Sequence, residues 1–476
     1  MGLCPLFARS LSGVFAAGVC ARRRGQYGRV QSVFSFGKNA FKKTRGGVLP
    51  GHFKNTSGCA TEAMPVPKTV RIHLAQHVGK PCEPAVKPGQ EVFVGTVIGR
   101  TEGGLASVVH ASVSGKVSAI EEFILPNSIR AKAVVIQADG AQTPDPAIAP
   151  PEVRDRESFL AAVRESGLIG LGGAGFPTYV KLAPPDPEAI DTLIVNGAEC
   201  EPFLTADYRE CLERGDDVLE GVRLVQKYLG IRTALIGIES NKPEAIAALT
   251  QKAEGDERIQ VRTLVTRYPQ GAEKVIVNEL TGRVIPKGKL PADVGVVVLN
   301  ISTVAFIARY LKTGMPLVEK RITVDGDCIK TPKNVLAPVG ASIADVAAFC
   351  GGYVEEPKKI LLGGPMMGMC VYTDAYNVAK NTNGLLFLGD KYVKSQAVLA
   401  CMKCGRCADA CPMGLMPPQI YEANKVNDLE EVARLQVDAC MECGCCSFVC
   451  PSKRPVTQAM REAKANLRDY RADKKK

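Results

Sequence analysis

The chain has no apolar run long enough to cross a bilayer. Its best stretch, GVVVLNISTVAFIA at 295–308, is 14 residues and includes Asn300, against the roughly 20 that a spanning helix needs. It also lacks an excess of one charge over most of its length. The formal charge of +11 comes almost wholly from residues 1–54, which hold ten lysines and arginines and no aspartate or glutamate, leaving 50 basic against 49 acidic side chains in the rest. A near-neutral body does not support a nucleic-acid partner. The order of a secretory signal is missing as well, because the arginines of ARRRG follow the apolar run LSGVFAAGVCA instead of preceding it. Residues 1–37 therefore read as a basic extension, either an organellar transit segment or an over-extended start with initiation near Val33. The last sixteen residues carry seven basic and three acidic groups and read as a solvated basic tail, 461–476.

Cysteine is abundant, with 18 in 476 residues, and eight of them form two knots. CMKCGRCADACP at 401–412 and CMECGCCSFVCP at 440–451 both follow C-x2-C-x2-C-x3-C-P, the spacing of a bacterial two-cluster [4Fe-4S] ferredoxin. Three thiolates of one loop hold three corners of a cluster, and the fourth cysteine reaches the other cluster. The expected sets are Cys401, Cys404, Cys407 with Cys450, and Cys440, Cys443, Cys446 with Cys411. A pair of Cys4 zinc sites is the bland alternative, but zinc usually takes two separated C-x2-C knuckles. Cys445 falls at the wrong spacing and reads as a buried sulfur. Between the knots, Ile420, Ala423, Val426, Leu429, Val432, Ala433 and Val437 recur at helical spacing, so the expectation over 376–460 is a helical two-cluster ferredoxin domain.

Upstream, the pattern changes four times. Residues 38–142 hold an N-terminal segment and short β-type runs broken by glycines, the pattern of a barrel-sandwich-like β domain resembling a lipoyl or biotinyl carrier; no lysine stands in an exposed M-K-M turn. Residues 143–157 are proline-rich and read as a linker. Over 158–314 helical and apolar strand-like segments alternate, which predicts a Rossmann-like parallel α/β sheet with a ligand at the carboxyl ends of its strands. Residues 315–375 give a hairpin, a helix and a further strand, a β-grasp pattern whose DGD turn is either a plain hairpin turn or a metal loop.

Two loops of the α/β segment carry candidate chemistry. GLGGAGFPT at 170–178 matches G-x-G-x-x-G through Gly170, Gly172 and Gly175, but a helical pattern precedes it and Pro177 follows, so it is a weak dinucleotide fingerprint. It is a better backbone nest, whose N–H groups can approach a phosphate or a flavin, with Lys181 downstream to meet phosphate charge. VNGAECEPFLTADYRE at 195–210 sets Asn196, Glu199, Glu201 and Asp207 after a strand; contacts to a nucleotide and a structural helix cap stand equal on these features alone.

GLGGAGFPTYVKL, NGAECEPFLTADYR, RYPQGAEKVIVNELTGRVIP and the paired knots, in this order, together resemble the RnfC component of the Rnf (Rsx) electron-transport complex, from about Lys38 to Lys464. The usual G-G-I-H-P-P appears as GGVLPGH. The middle segment is also similar to the FMN- and NADH-binding flavin subunit of respiratory complex I. That resemblance implies that Gly172, Gly173, Gly175 and Lys181 hold FMN and its phosphate, that Asn196 contacts the flavin, and that Glu199 and Glu201 lie where the nicotinamide nucleotide stacks. It further implies that Tyr268 and Glu273 belong to the nucleotide site and that Asn300 and Thr303 face the flavin; the β-grasp segment resembles the soluble-ligand-binding module of both families. The expected function is that of a peripheral NAD(H)-dependent flavin and iron–sulfur oxidoreductase subunit with two [4Fe-4S] clusters, on the cytoplasmic face of a bacterial inner membrane, with membrane subunits and ferredoxin or another low-potential redox protein as partners. No catalytic acid or base is expected, since hydride transfer needs positioning alone. A microcompartment cobalamin reductase resembles the same architecture, and an electron relay without nucleotide activity is a third reading.

Overall fold

The computed structural model describes residues 46–474; the extension at 1–37 lies outside them. Strands Thr69–His73, Arg130–Ala138, Gly115–Ile124 and Glu91–Val92 form one antiparallel sheet, and Glu83–Pro84, Val97–Arg100 and Val109–His110 a second. Alternate residues along each strand point to one face, and Val70, Ile72, Ile98, Val109, Val134 and Ile136 close the core between the sheets. The proline-rich stretch is not a free tether. Thr143 and Asp145 exchange backbone hydrogen bonds with Val94, and Thr96 Oγ1 donates to Asp145 Oδ2 at 2.5 Å. It ends at Asp155, which caps helix Arg156–Glu165.

The α/β unit has four parallel strands in the order Ile259–Leu264, Thr233–Glu239, Thr192–Gly197, Val296–Asn300. The chain starts in the middle of this sheet, builds outward to one side, and returns to the other. Such a reversal opens a crevice at the carboxyl ends of the two strands flanking it, here Thr192–Gly197 and Val296–Asn300. The long apolar run at 295–308 is divided between strand Val296–Asn300 and helix Ile301–Thr313, which Asn300 caps through Oδ1, accepting from Ser302 N at 2.9 Å. Among the described residues no helix is long and apolar enough to cross a membrane.

The β-grasp sheet is larger than expected. Its six strands run Thr61–Ala63, Lys333–Pro338, Glu319–Asp325, Gly384–Leu388, Lys359–Leu362, Met369–Val371, against helix Ile343–Phe349. Strand Gly384–Leu388 lies beyond the expected limit of 375 because GLLFL, buried throughout, shows no alternation to mark it as a strand. Thr61–Ala63 joins from about 270 residues away in sequence, which no local pattern announces.

The helical spacing between the knots does not give one helix. Pro417–Lys425 and Leu429–Arg434 are separated by Asn427 at φ +58°, and Val426 is 73% exposed. The expected tail is helical: Val456–Asp473 buries Met460, Ala463 and Leu467 against Ile420 and Val432. Offset by 39 residues, the two knots repeat one backbone path. Lys403 and Glu442, Gly405 and Gly444, and Gly414 and Lys453 all have positive φ, and helices begin at Arg406 and Cys445, then at Pro417 and Val456.

Candidate functional site

The crevice is built from strand ends. Asn196 and Asn300 are register partners at the carboxyl ends of adjacent parallel strands. Asn196 Nδ2 donates to Gly271 O at 2.7 Å and its Oδ1 accepts from Ala198 N at 3.2 Å. Asn300 Nδ2 and Ser302 Oγ both donate to the Asp207 carboxylate at 2.7 Å. The glycine loop lies over them, following a helix, in keeping with its poor fit to the dinucleotide fingerprint. Leu171 N donates to Thr303 Oγ1 at 3.0 Å, Lys320 Nζ to Leu171 O at 3.4 Å, Asn381 Nδ2 to Gly173 O at 3.2 Å and Val78 N to Gly175 O at 3.0 Å. A Cβ on Gly172 would sit 3.3 Å from the Asn300 Cβ, and Gly173 has φ +112°, a conformation open to glycine at little cost. Lys181 ends the short helix Thr178–Lys181 and forms an ion pair with Glu273, the first residue of helix Glu273–Thr281.

The acidic loop is engaged with main-chain amides. Glu199, at φ +41°, accepts from Asp207 N at 2.7 Å and Tyr208 N at 3.1 Å, at the start of helix Ala206–Glu213, so the cap is realised. Glu201 accepts from Met366 N at 3.0 Å and Met367 N at 2.8 Å. Burial raises both carboxyls, that of Glu201 to about 7. Two lysines absent from the expected site lie under this loop. Lys54 Nζ donates to the carbonyls of Glu199, Glu201 and Leu204 at 2.9, 2.8 and 2.5 Å, and burial lowers it to about 8. Lys242 Nζ donates to Ala198 O at 2.6 Å and to Glu239 Oε2 at 3.1 Å. Lys54 is one of the ten basic residues of 1–54, and only the fold brings it under the loop.

Cys401, Cys404, Cys407 and Cys450 line one cavity together with Tyr421 and Arg454. Cys411, Cys443 and Cys446 lie within mutual electrostatic reach, and Cys440 joins Cys443 and Cys446. All eight thiols are unbridged. Burial pushes Cys440 up to about 11 and raises Cys411 and Cys446, while a hydrogen bond with Cys445 brings Cys443 down to about 7; as cluster ligands all four would be thiolates. The crossed donor sets fit two clusters. Cys445 is buried, its Sγ 3.9 Å from Tyr268 O.

Tyr268, expected in the nucleotide site, is 1% exposed and faces the second knot instead: its hydroxyl donates to Cys443 O at 2.7 Å. It exchanges backbone hydrogen bonds with Val48 at 2.7 and 2.9 Å, while Gly47 N donates to Ala410 O at 3.0 Å. A Cβ on Gly46 would lie 2.7 Å from the Cys411 carbonyl. Residues 46–48 thus join the Tyr268 loop to the cysteine knots, and an apolar seam of Val48, Tyr268, Ala410, Cys443 and Cys445, flanked by Cys200 and Met366, fills the contact. At the DGD turn, Asp327, Cys328 and Glu355 lie close together, but both oxygens of Asp327 already accept from Gly389 N and Lys391 N.

Residues 42–141 match the family model described as the RnfC barrel sandwich hybrid domain, 163–309 the Nuo51 FMN-binding domain, 321–369 the SLBB domain and 400–453 the 4Fe-4S dicluster domain. The C component of the proton-translocating ferredoxin:NAD(+) oxidoreductase complex of Clostridium ljungdahlii is 43% identical over 385 residues, covering 80% of this chain and 84% of that one. The C component of the Na(+)-translocating ferredoxin:NAD(+) oxidoreductase complex of Acetobacterium woodii is 41% identical over 431 residues, covering 89% and 96%. Its counterpart in the ion-translocating oxidoreductase complex of Rhodobacter capsulatus is 39% identical over 437 residues, covering 90% and 84%.

Proposed function

Because the chain belongs to the RnfC family of ion-translocating oxidoreductase complexes, we propose that it is the peripheral subunit through which a membrane complex exchanges electrons between NAD(H) and ferredoxin or another low-potential one-electron carrier. Two cofactor types serve this: FMN and a pair of [4Fe-4S] clusters. The observation that carries the proposal is the seam at Tyr268, where the unit bearing the glycine loop meets the second cysteine knot.

The residues fit FMN. Gly172 and Gly173 leave main chain uncovered above Asn300, Thr303 and Lys320 hold the loop in place, and Lys181 offers an ammonium to phosphate. Bound there, FMN would take an electron pair from NADH and release electrons singly, as joining nicotinamide to iron–sulfur clusters requires. The chain's own part is positioning. Asn196 and Asn300 fix the crevice floor; Glu273 orients the Lys181 ammonium; Glu199 and Glu201, tied to main-chain amides, shape the acidic wall expected beside the nucleotide. The set Cys440, Cys443, Cys446, Cys411 adjoins the seam and is assigned as the inner cluster. The set Cys401, Cys404, Cys407, Cys450 is assigned as the outer one, since Cys401 and Cys404 are exposed. In domain terms the barrel-sandwich unit is a scaffold, and the β-grasp unit buttresses the α/β unit. The use of NAD(H) supports a place for the site on the cytoplasmic face of the membrane.

An anaerobic NADH titration of the reconstituted protein with FMN, followed by electron paramagnetic resonance, tests the proposal. Reduced-cluster signals are the expected outcome. Clusters that respond only to dithionite, and that NAD(+) does not reoxidise, would overturn it.

A further inference from the structure

Asn383 has no part in the site so far. It directly precedes strand Gly384–Leu388 of the β-grasp sheet, and its backbone is fixed, the carbonyl accepting from Thr323 N at 3.0 Å. Its side chain turns toward the glycine loop of the other unit, with Nδ2 3.5 Å from where a Cβ on Gly173 would stand. Asn300 stands in the same way against Gly172, and Asn381 against Gly175, so three asparagines from two units line three glycines of one loop. The other two are paired: Asn300 with Asp207 and Ser302, Asn381 with Gly173 O. Asn383 is not. Its Oδ1 is buried without a partner, and no described residue bonds its Nδ2. Folded chains rarely leave a shielded amide oxygen unsatisfied, because it has given up water for nothing.

We propose that Asn383 holds the imide edge of the flavin ring, which makes the β-grasp unit a second wall of the flavin site. This rests on the reading that the glycine loop takes FMN. A primary amide presents an N–H donor beside a C=O acceptor, and swapping its two ends interchanges them. The flavin pyrimidine presents N3–H between C2=O and C4=O, so donor and acceptor pair together. The charged side chains of the crevice are already engaged: Lys181 is a donor only and is paired with Glu273, and the carboxyl oxygens of Glu199 and Glu201 accept from main-chain amides. Asn383 is a binding residue, and it moves no proton.

The test is FMN binding to the full-length, cluster-reconstituted chain, read by quenching of flavin fluorescence and by the flavin absorption spectrum. In Asn383→Ala the FMN dissociation constant should rise about tenfold and the absorption maximum should shift, with the spin-resonance spectrum of the dithionite-reduced clusters unchanged as the sign of an intact fold. A second arm needs only the native chain. FMN methylated at N3 should bind about tenfold more weakly than FMN. Unchanged FMN affinity and spectrum in Asn383→Ala, or equal binding of N3-methyl FMN by the native chain, would overturn the proposal. So would a variant that loses NAD(H) affinity alone, which would reassign the amide to nicotinamide. A native chain that binds no FMN overturns the flavin reading itself, a result distinct from these.

Discussion

Glu201 keeps its proton to an unusual pH because burial outweighs the two main-chain N–H groups that favour its anion. The folded chain holds that proton between about 4.5 and about 7, where the unfolded chain has released it. This side chain's contribution to stability is therefore full at low pH and is lost as pH rises through about 7. In Glu201→Gln the fall in unfolding free energy between pH 5 and pH 7 should be shallower by about 2 kcal/mol, measured by urea titration at the two pH values. Lys54 acts in a higher window: the unfolded chain keeps a proton up to about 10.5 that the folded chain sheds near 8, so stability rises over that interval. Lys54→Met should remove the rise and, by stranding three carbonyls, lower stability at pH 7 by about 2 kcal/mol. Neither effect was legible in the sequence. A helix cap was one of two equal readings of the acidic loop, but which carboxylate caps, and with what burial, depended on Asp207 and Tyr208 folding back onto Glu199, and nothing around Lys54 in the sequence pointed to carbonyls about 150 residues away.

Elements were legible where their periodicity was clean. The alternation over 158–314 announced the parallel sheet, and the cysteine spacing announced a crossed pairing that the cavity around Cys401, Cys404, Cys407 and Cys450 accommodates. The crossing has a counterintuitive outcome: Cys450→Ser, made in the second knot, should remove the cluster of the first, and Cys411→Ser the reverse. Each variant should lose about half its iron, and spin-resonance spectra of the two should be complementary. Elements were hidden where a strand is buried on both faces, as GLLFL is, or where one positive-φ residue, Asn427, divides a run that is helical in spacing. Helix Gly215–Leu229 meets helix Ile301–Thr313 at Gly221, where any Cβ would collide with the Val304 carbonyl. Gly221→Ala should cost about 1–3 kcal/mol by overpacking, read as a lowered unfolding midpoint with an unchanged iron content.

At the scale of the whole molecule, the four units are joined by segments that the sequence assigned to the N-terminal part of 38–142. Thr61–Ala63 completes the β-grasp sheet, and Gly46–Val48 bridges the Tyr268 loop and the cysteine knots. Gly46→Val adds a side chain against the Cys411 carbonyl at a backbone with φ +75°. The expected outcome is uncoupling: NADH still bleaches bound FMN in stopped flow, while the cluster signals grow at least tenfold more slowly than in the native chain. Equal rates would show that the seam does not carry the contact between the two. The crossed cysteine sets also bear on how the protein is made. With the proposed crossed sets, the first four-cysteine set is incomplete on the ribosome until residue 450 has emerged and the second until residue 446, so neither cage can be completed before the second knot has been made. A nascent chain halted between the knots would expose four reactive thiols with no finished cage to receive iron.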